Sequence, residues 1–158
     1  MAHSQLDNLD IKILQMMTGN ARKPFLEIAR ECGVSGAAVH QRIGKLQASG
    51  VIKGTELLVE PSTIGYDTCA YMGFFLKDPA SFHDVIEKLR KIPEVVECHF
   101  TTGQYDLFIK IYARNNDHLL HLIHHKLQKL GLSRSESLIS FKEVFKRPLP
   151  VDPGVVND

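Results

Sequence analysis

Apolar residues in the N-terminal third recur at every third or fourth position, the period of amphipathic helices. Leu9, Ile13 and Met17, with Leu6 and Leu14 beside them, predict an opening helix. Asp7 is placed to cap it, and Asp10 puts a negative charge where the helix dipole favours one. Gly19-Asn20 ends it. Pro24 fits the start of a second helix, where its missing N–H costs nothing. Phe25, Ile28, Ala29 and Cys32 form that helix's apolar stripe. Gly33-Val34-Ser35 then supplies a left-handed C-terminal residue followed by a hydroxyl cap for a third helix. Val39, Ile43 and Leu46 are that helix's buried stripe, and Gly50 ends it.

Beyond this point the period changes. Val51–Val59 alternates loosely and reads as extended, and Pro61-Ser62-Thr63 with Gly65 marks a hinge. Cys69–Lys77 predicts a strand. Pro79–Lys91 predicts a helix with Phe82, Val85, Ile86 and Leu89 inward, stopped by Pro93. Glu94–Thr102 predicts a strand with Val96, Cys98 and Phe100 on one face, and Gly103-Gln104 a tight turn into a partner strand, Asp106–Ala113. A helix capped by Asn116 or Asp117 runs to Leu130, and Ser135–Phe145 is a last strand before a proline-rich tail.

The fold class expected is therefore α+β: an all-α helix-turn-helix, winged-helix-like, followed by a ferredoxin-like βαββαβ domain. The boundaries expected are 1–52, an extended hinge over 53–66, a sensing and pairing domain over 67–147, and a tail over 148–158. Both faces of the predicted sheet are apolar. Met72, Phe74 and Leu76 oppose Tyr71, Gly73 and Phe75, while Leu107, Ile109 and Ile111 oppose Phe108 and Tyr112. With helices on one face only, the other needs a cover, and a second copy of the chain is the cover expected.

Charge sharpens this picture. The net charge is +1, but residues 1–55 hold seven Lys/Arg against four Asp/Glu, leaving the remainder at −2. A basic end suits a polyanion. Three widely spaced cysteines, without a C-x-x-C pair, suit buried thiols in a reducing compartment better than a disulfide framework or zinc site. MAHSQLDNLD lacks the basic flank and apolar stretch of a signal peptide, and no apolar run reaches the roughly 18 residues of a membrane span. A cytoplasmic protein is expected.

The third helix carries the candidate chemistry. Opposite its apolar stripe lie Ala37, His40, Gln41, Gly44, Lys45 and Ala48, with Arg42 on the flank, and no acid occurs from Gly36 to Gly50. Small residues allow close approach to a duplex, while Gln41, His40 and the cations reach base edges or phosphates. Gly44 costs about 1 kcal/mol of helix stability relative to alanine, a cost that close contact with a DNA backbone would explain.

The run GVSGAAVHQRIGKLQASGVIKG resembles the recognition region of the leucine-responsive/AsnC family of prokaryotic regulators. LDNLDIKILQMM resembles that family's opening helix, and TTGQYDLFIKI its Gly-x-x-Asp sensing hairpin, so the resemblance spans roughly Leu6–Lys146. It implies a sequence-specific DNA-binding regulator, not an enzyme. It also implies dimers joined through the C-terminal sheets and often assembled into octamers, and modulation by an amino acid or related metabolite. Matched residue by residue, it points to Ser35, Ala37, His40, Gln41, Arg42 and Lys45 as DNA-facing. It points to Thr101, Thr102, Gly103, Tyr105 and Asp106 as effector-binding, with Asp106 suited to an α-ammonium. The chain departs from the family at Gly36 and Ala37, where Pro or Thr is common, and at Gly44, where a basic residue is common; the departures bear on target sequence.

No cofactor or metal is expected. His118, His121, His124 and His125 crowd one helix, but without a third ligand on the same turn they read as a solvated face. Two alternatives share the architecture: a tetrapyrrole (sirohaem) decarboxylase, and a stand-alone metabolite-sensing module. The cationic third helix argues against both.

Overall fold

The computed structural model describes residues 6–156 and divides into two units: 6–57 with 145–156, and Leu58–Val144. In the first unit, α1 (Asn8–Gly19), α2 (Phe25–Cys32) and α3 (Gly36–Ala48) pack around Ile13, Ile28, Ala29, Val39 and Ile43. The helix limits follow the local chemistry. Asp7 and Asp10 form a reciprocal capping box at the start of α1. Gly33 ends α2 in the left-handed region at φ 68°, and the Ser35 hydroxyl accepts from the Ala38 N–H at 3.1 Å to cap α3. Pro24 stands one place earlier than expected, as the extended N-cap of α2.

The second unit holds β1 (Thr68–Leu76), α4 (Phe82–Arg90), β2 (Val95–Phe100), β3 (Leu107–Ala113), α5 (Asn116–Leu122) and β4 (Leu132–Ser140). The antiparallel sheet has the order β2-β3-β1-β4, the ferredoxin-like arrangement. Two-residue alternation decides what each face holds. Ala70, Met72 and Phe74 of β1 face the helices alongside Leu107, Ile109 and Ile111 of β3. They pack there against Val85 and Leu89 of α4 and Leu119 and Leu122 of α5. The other face carries Tyr71, Phe75, Phe108 and Tyr112, with Tyr71 and Phe108 stacked at 5.9 Å.

Four local expectations are corrected. Val51–Val59 forms no ladder, and a 3-10 turn at Pro61–Ile64 follows it, because no neighbouring strand is there to satisfy an extended segment. In β2 the register slips between Val95 and Glu97, leaving Val96 in a bulge. Val95, Cys98 and Phe100 therefore share the face expected of Val96, Cys98 and Phe100. The cap of α5 is Asn115, whose side chain accepts from the His118 N–H at 2.8 Å. The helix predicted as continuous to Leu130 passes through a π turn at Ile123–Leu127 and a 3-10 turn to Gln128–Leu130. The tail includes a short helix, α6 (Pro153–Val156), and Gln15 of α1 donates to the Val151 carbonyl at 3.0 Å.

Gly73 is the tightest point of the outer face. A Cβ built there would overlap the Tyr105 ring. Gly73→Ala is therefore expected to cost about 2 kcal/mol by overpacking, read as a lower thermal midpoint. Unchanged stability would show that Tyr105 does not pack on β1.

Candidate nucleic-acid interface and effector turn

Burial of Val39, Ile43 and Leu46 fixes the rotation of α3 about its axis. Ala37, His40, Gln41, Gly44, Lys45 and Ala48 are consequently all exposed on the opposite side. Nothing lies within 4 Å of a Cβ built on Gly44, so its missing side chain is not explained by packing within the chain. Phe25 of α2 meets His40 edge-on at 6.0 Å and sets the imidazole's position at the start of the row. Ser35 is exposed at the N-terminus of α3, its oxygen already accepting the capping N–H.

Arg42 is differently engaged from the phosphate contact expected of it. Its Nη1 bonds Asp7 and reaches both Asp10 oxygens, at 3.2 and 3.3 Å. The Asp10 carboxylate is buried, and a guanidinium with fixed planar donors suits two acids better than a lysine would. The capping box of α1 thus doubles as the socket for α3. Its acids hold Arg42, and Lys45 remains the exposed cation on the helix's outer row. Sequence spacing gave no sign of this, because residues 7 and 42 lie on different helices.

The Asp7 carboxyl is held below its ordinary value of 3.8, first by the Asp10 N–H and, against the opposing effect of burial, by Arg42. The folded-state value is depressed, so the stabilisation is full above the ordinary value and fades as pH falls through the lowered one. Arg42→Gln is expected to lower the thermal midpoint at pH 7, and to lower it less in an Asp10→Asn background, where the buried charge is gone. Additive effects of the two substitutions would exclude the coupling.

At the effector turn, Gly103 has φ 125°, a conformation that side chains strain to adopt, and Thr102 and Gly103 are exposed. The Thr101 hydroxyl donates to the Tyr105 carbonyl at 2.5 Å. Asp106 is tied to β1 rather than open: one carboxylate oxygen accepts from the Leu76 N–H at 2.8 Å, and its own N–H donates to the Phe74 carbonyl at 2.9 Å. One of its two oxygens is thus engaged where β1 shifts register. The Tyr105 hydroxyl donates to Glu136 at 2.6 Å, which pushes the phenol's pKa up. Gln104 also reaches Glu136, and Arg134 pairs with it. Arg134 and Glu136 were missed because they meet the turn only through the pairing of β4 with β1, Gly73 opposite Glu136 and Phe75 opposite Arg134.

Among the described residues no group of three or more potential metal ligands occurs, and the His121 and His125 rings lie 4.3 Å apart, tilted by 34°. The cysteines are less enclosed than expected: Cys32 and Cys69 are half-buried, and Cys98 is exposed near the edge of the sheet. Partial desolvation still pushes the Cys69 and Cys98 thiols up, the reverse of an activated nucleophile. No helix among the described residues is long and apolar enough to cross a membrane.

Comparison with known proteins agrees with this geometry. Residues 6–53 match a winged helix-turn-helix DNA-binding family, and residues 69–150 match the Lrp/AsnC ligand binding domain. The chain belongs to the Lrp/AsnC family. The regulatory protein AsnC of Haemophilus influenzae is 37% identical over 145 residues, covering 91% of this chain and 97% of that one. The transcriptional regulator Ptr1 of Methanocaldococcus jannaschii is 33% identical over 91% of this chain and 99% of its own length. The structure of Escherichia coli AsnC superposes with a TM-score of 0.86 at 34% identity, over 93% of this chain and 99% of that one. A Neisseria meningitidis regulator in complex with L-Met has the same TM-score at 25% identity, over 93% and 97%. This Lrp/AsnC chain is thus a helix-turn-helix transcription regulator, and its relatives are named as regulators, not enzymes. The decarboxylase alternative is not favoured.

Proposed function

We propose that the outer row of α3 enters the major groove of duplex DNA, and that the Gly103 turn receives an amino acid which modulates this binding. The observation behind the first part is the exposed, acid-free row itself: Ala37 and Gly44 keep it low, His40 and Gln41 offer hydrogen bonds, and Lys45 offers charge. Ser35 lies where the helix N-terminus meets the phosphate backbone. The outer sheet face supports self-association. It is aromatic at Tyr71, Phe75 and Phe108, and Leu138, Phe141 and Val144 stand exposed beside it. Such a face loses area to water only when a second copy covers it, so the working unit is a homodimer, or an octamer built from dimers. The site of action is the cytoplasm, where the duplex is.

The effector reading rests on the turn's chemistry and on the L-Met bound by the N. meningitidis relative. Gly103 leaves the turn's backbone N–H groups to a carboxylate, and Asp106, with one oxygen outside its bond to Leu76, pairs with the α-ammonium.

Three outcomes test this. Lys45→Ala is expected to weaken binding to all duplexes alike and to reduce the slope of log K against log salt by about one. Arg42→Gln leaves that slope unchanged while the protein is folded. An unaltered slope in Lys45→Ala would remove it as a phosphate contact. By sedimentation the protein is expected as a dimer or multiple of dimers, and a monomer at micromolar concentration would overturn the pairing of sheets. Mobility shifts with each of the twenty amino acids are expected to show at least one that changes affinity, with the response lost in Gly103→Val.

A further inference from the structure

Two exposed apolar residues open α2, and the three-helix core uses neither. That core is Ile13, Ile28, Ala29, Val39 and Ile43 with the partly buried side chains around them, and Phe25 and Leu26 belong to neither group. They are 37% and 66% exposed. Both meet the beginning of α3 instead. The Phe25 ring lies edge-on to His40 at 6.0 Å, with the ring planes at 67°. Leu26 lies so near Gly36 that a Cβ built there would stand 3.1 Å from its Cδ2. A glycine at this place thus lets the first turn of α2 come close to the first turn of α3.

Helical side chains lean towards the N-terminus of their helix, so His40 lies back over that same turn. Among the described residues its imidazole has no hydrogen bond or ion pair, and the aromatic contact is what restrains it. Edge-to-face packing is a favoured geometry for two rings, whereas an unrestrained exposed side chain changes rotamer within nanoseconds. Held in one pose, the imidazole presents one N–H to an acceptor on one purine edge of the major groove. Free to swing, it meets acceptors on neighbouring pairs too and tells them apart poorly.

We propose that Phe25 is a positioning residue for base recognition: from α2, outside the exposed row of α3, it fixes the His40 imidazole and so sets which base pair is discriminated there. The proposal rests on α3 entering the groove and adds to it a determinant on the preceding helix.

Sequencing the fragments that the full-length protein retains from a randomised duplex pool gives its preference at every position, and tests this. His40→Ala is expected to flatten the preference at one base pair by about fivefold, the lower end for a side-chain contact to a base edge. Phe25→Leu flattens the same base pair and no other, Phe25→Tyr keeps the ring and restores it, and the double variant is no flatter than His40→Ala. Phe25→Leu keeps an apolar side chain outside the core, and its thermal midpoint checks that it is folded. Three results overturn the proposal: Phe25→Leu weakens all sequences alike, it alters a base pair that His40→Ala leaves alone, or it alters none. Failure of the groove reading looks different, because His40→Ala would then change no position, and the positioning role would fall with it.

Discussion

The presentation of α3 depends on a constraint at its back. Val39, Ile43 and Leu46 hold it in the three-helix core, and that alone sets which side faces out. An apolar stripe of three residues leaves freedom to slide, however, and the Arg42 contact with Asp7 and Asp10 removes it. Asp10 is buried and charged, so without a partner it would carry the desolvation penalty of an isolated carboxylate. The same two acids satisfy the free N–H groups at the start of α1. One arrangement thus caps the first helix and locks the third, and the exposed row becomes a rigid surface instead of a rolling one.

The architecture could be read from the sequence wherever the signal was local. Gly33 and Ser35 bound the turn as expected, since a left-handed glycine and a hydroxyl cap act within a few residues. Alternation along Ala70–Phe74 and Leu107–Ile111 assigned the two sheet faces correctly, because a period of two has no other structural meaning. Long-range pairing stayed hidden. The bulge at Val96 depends on how β2 registers against β3, the π turn on how α5 meets the sheet, and the partners of Arg42 on a helix thirty-odd residues away. Asp106 shows the same limit at the candidate site. The N–H that one of its oxygens accepts, that of Leu76, lies across the sheet.

The outer sheet face shows how a charge survives in an apolar setting. Lys110 is buried at the centre of that face, flanked by the rings of Tyr71 and Tyr112 at 5.7 and 5.3 Å. Burial by itself would depress its pKa, but hydrogen bonding to Tyr112 and Glu143 holds it raised. The lysine is therefore charged at neutral pH, with Glu143 at 3.3 Å and Glu97 at 3.9 Å as counter-ions. A charge so placed contributes little net stability, because its pairs repay the cost of burying it and little more. What it fixes is where Glu97 and Glu143 stand on the face.

The effector turn opens directly into β3, with Asp106 immediately before the strand. That strand pairs with β1 on one side and β2 on the other, so its position is set from both edges. The pairing is interrupted in β2 beside Val95 and in β1 beside Phe75, next to the strand's two ends. The middle pairs without interruption and has Ile109 and Lys110 buried on opposite faces, so the register of the sheet is fixed there.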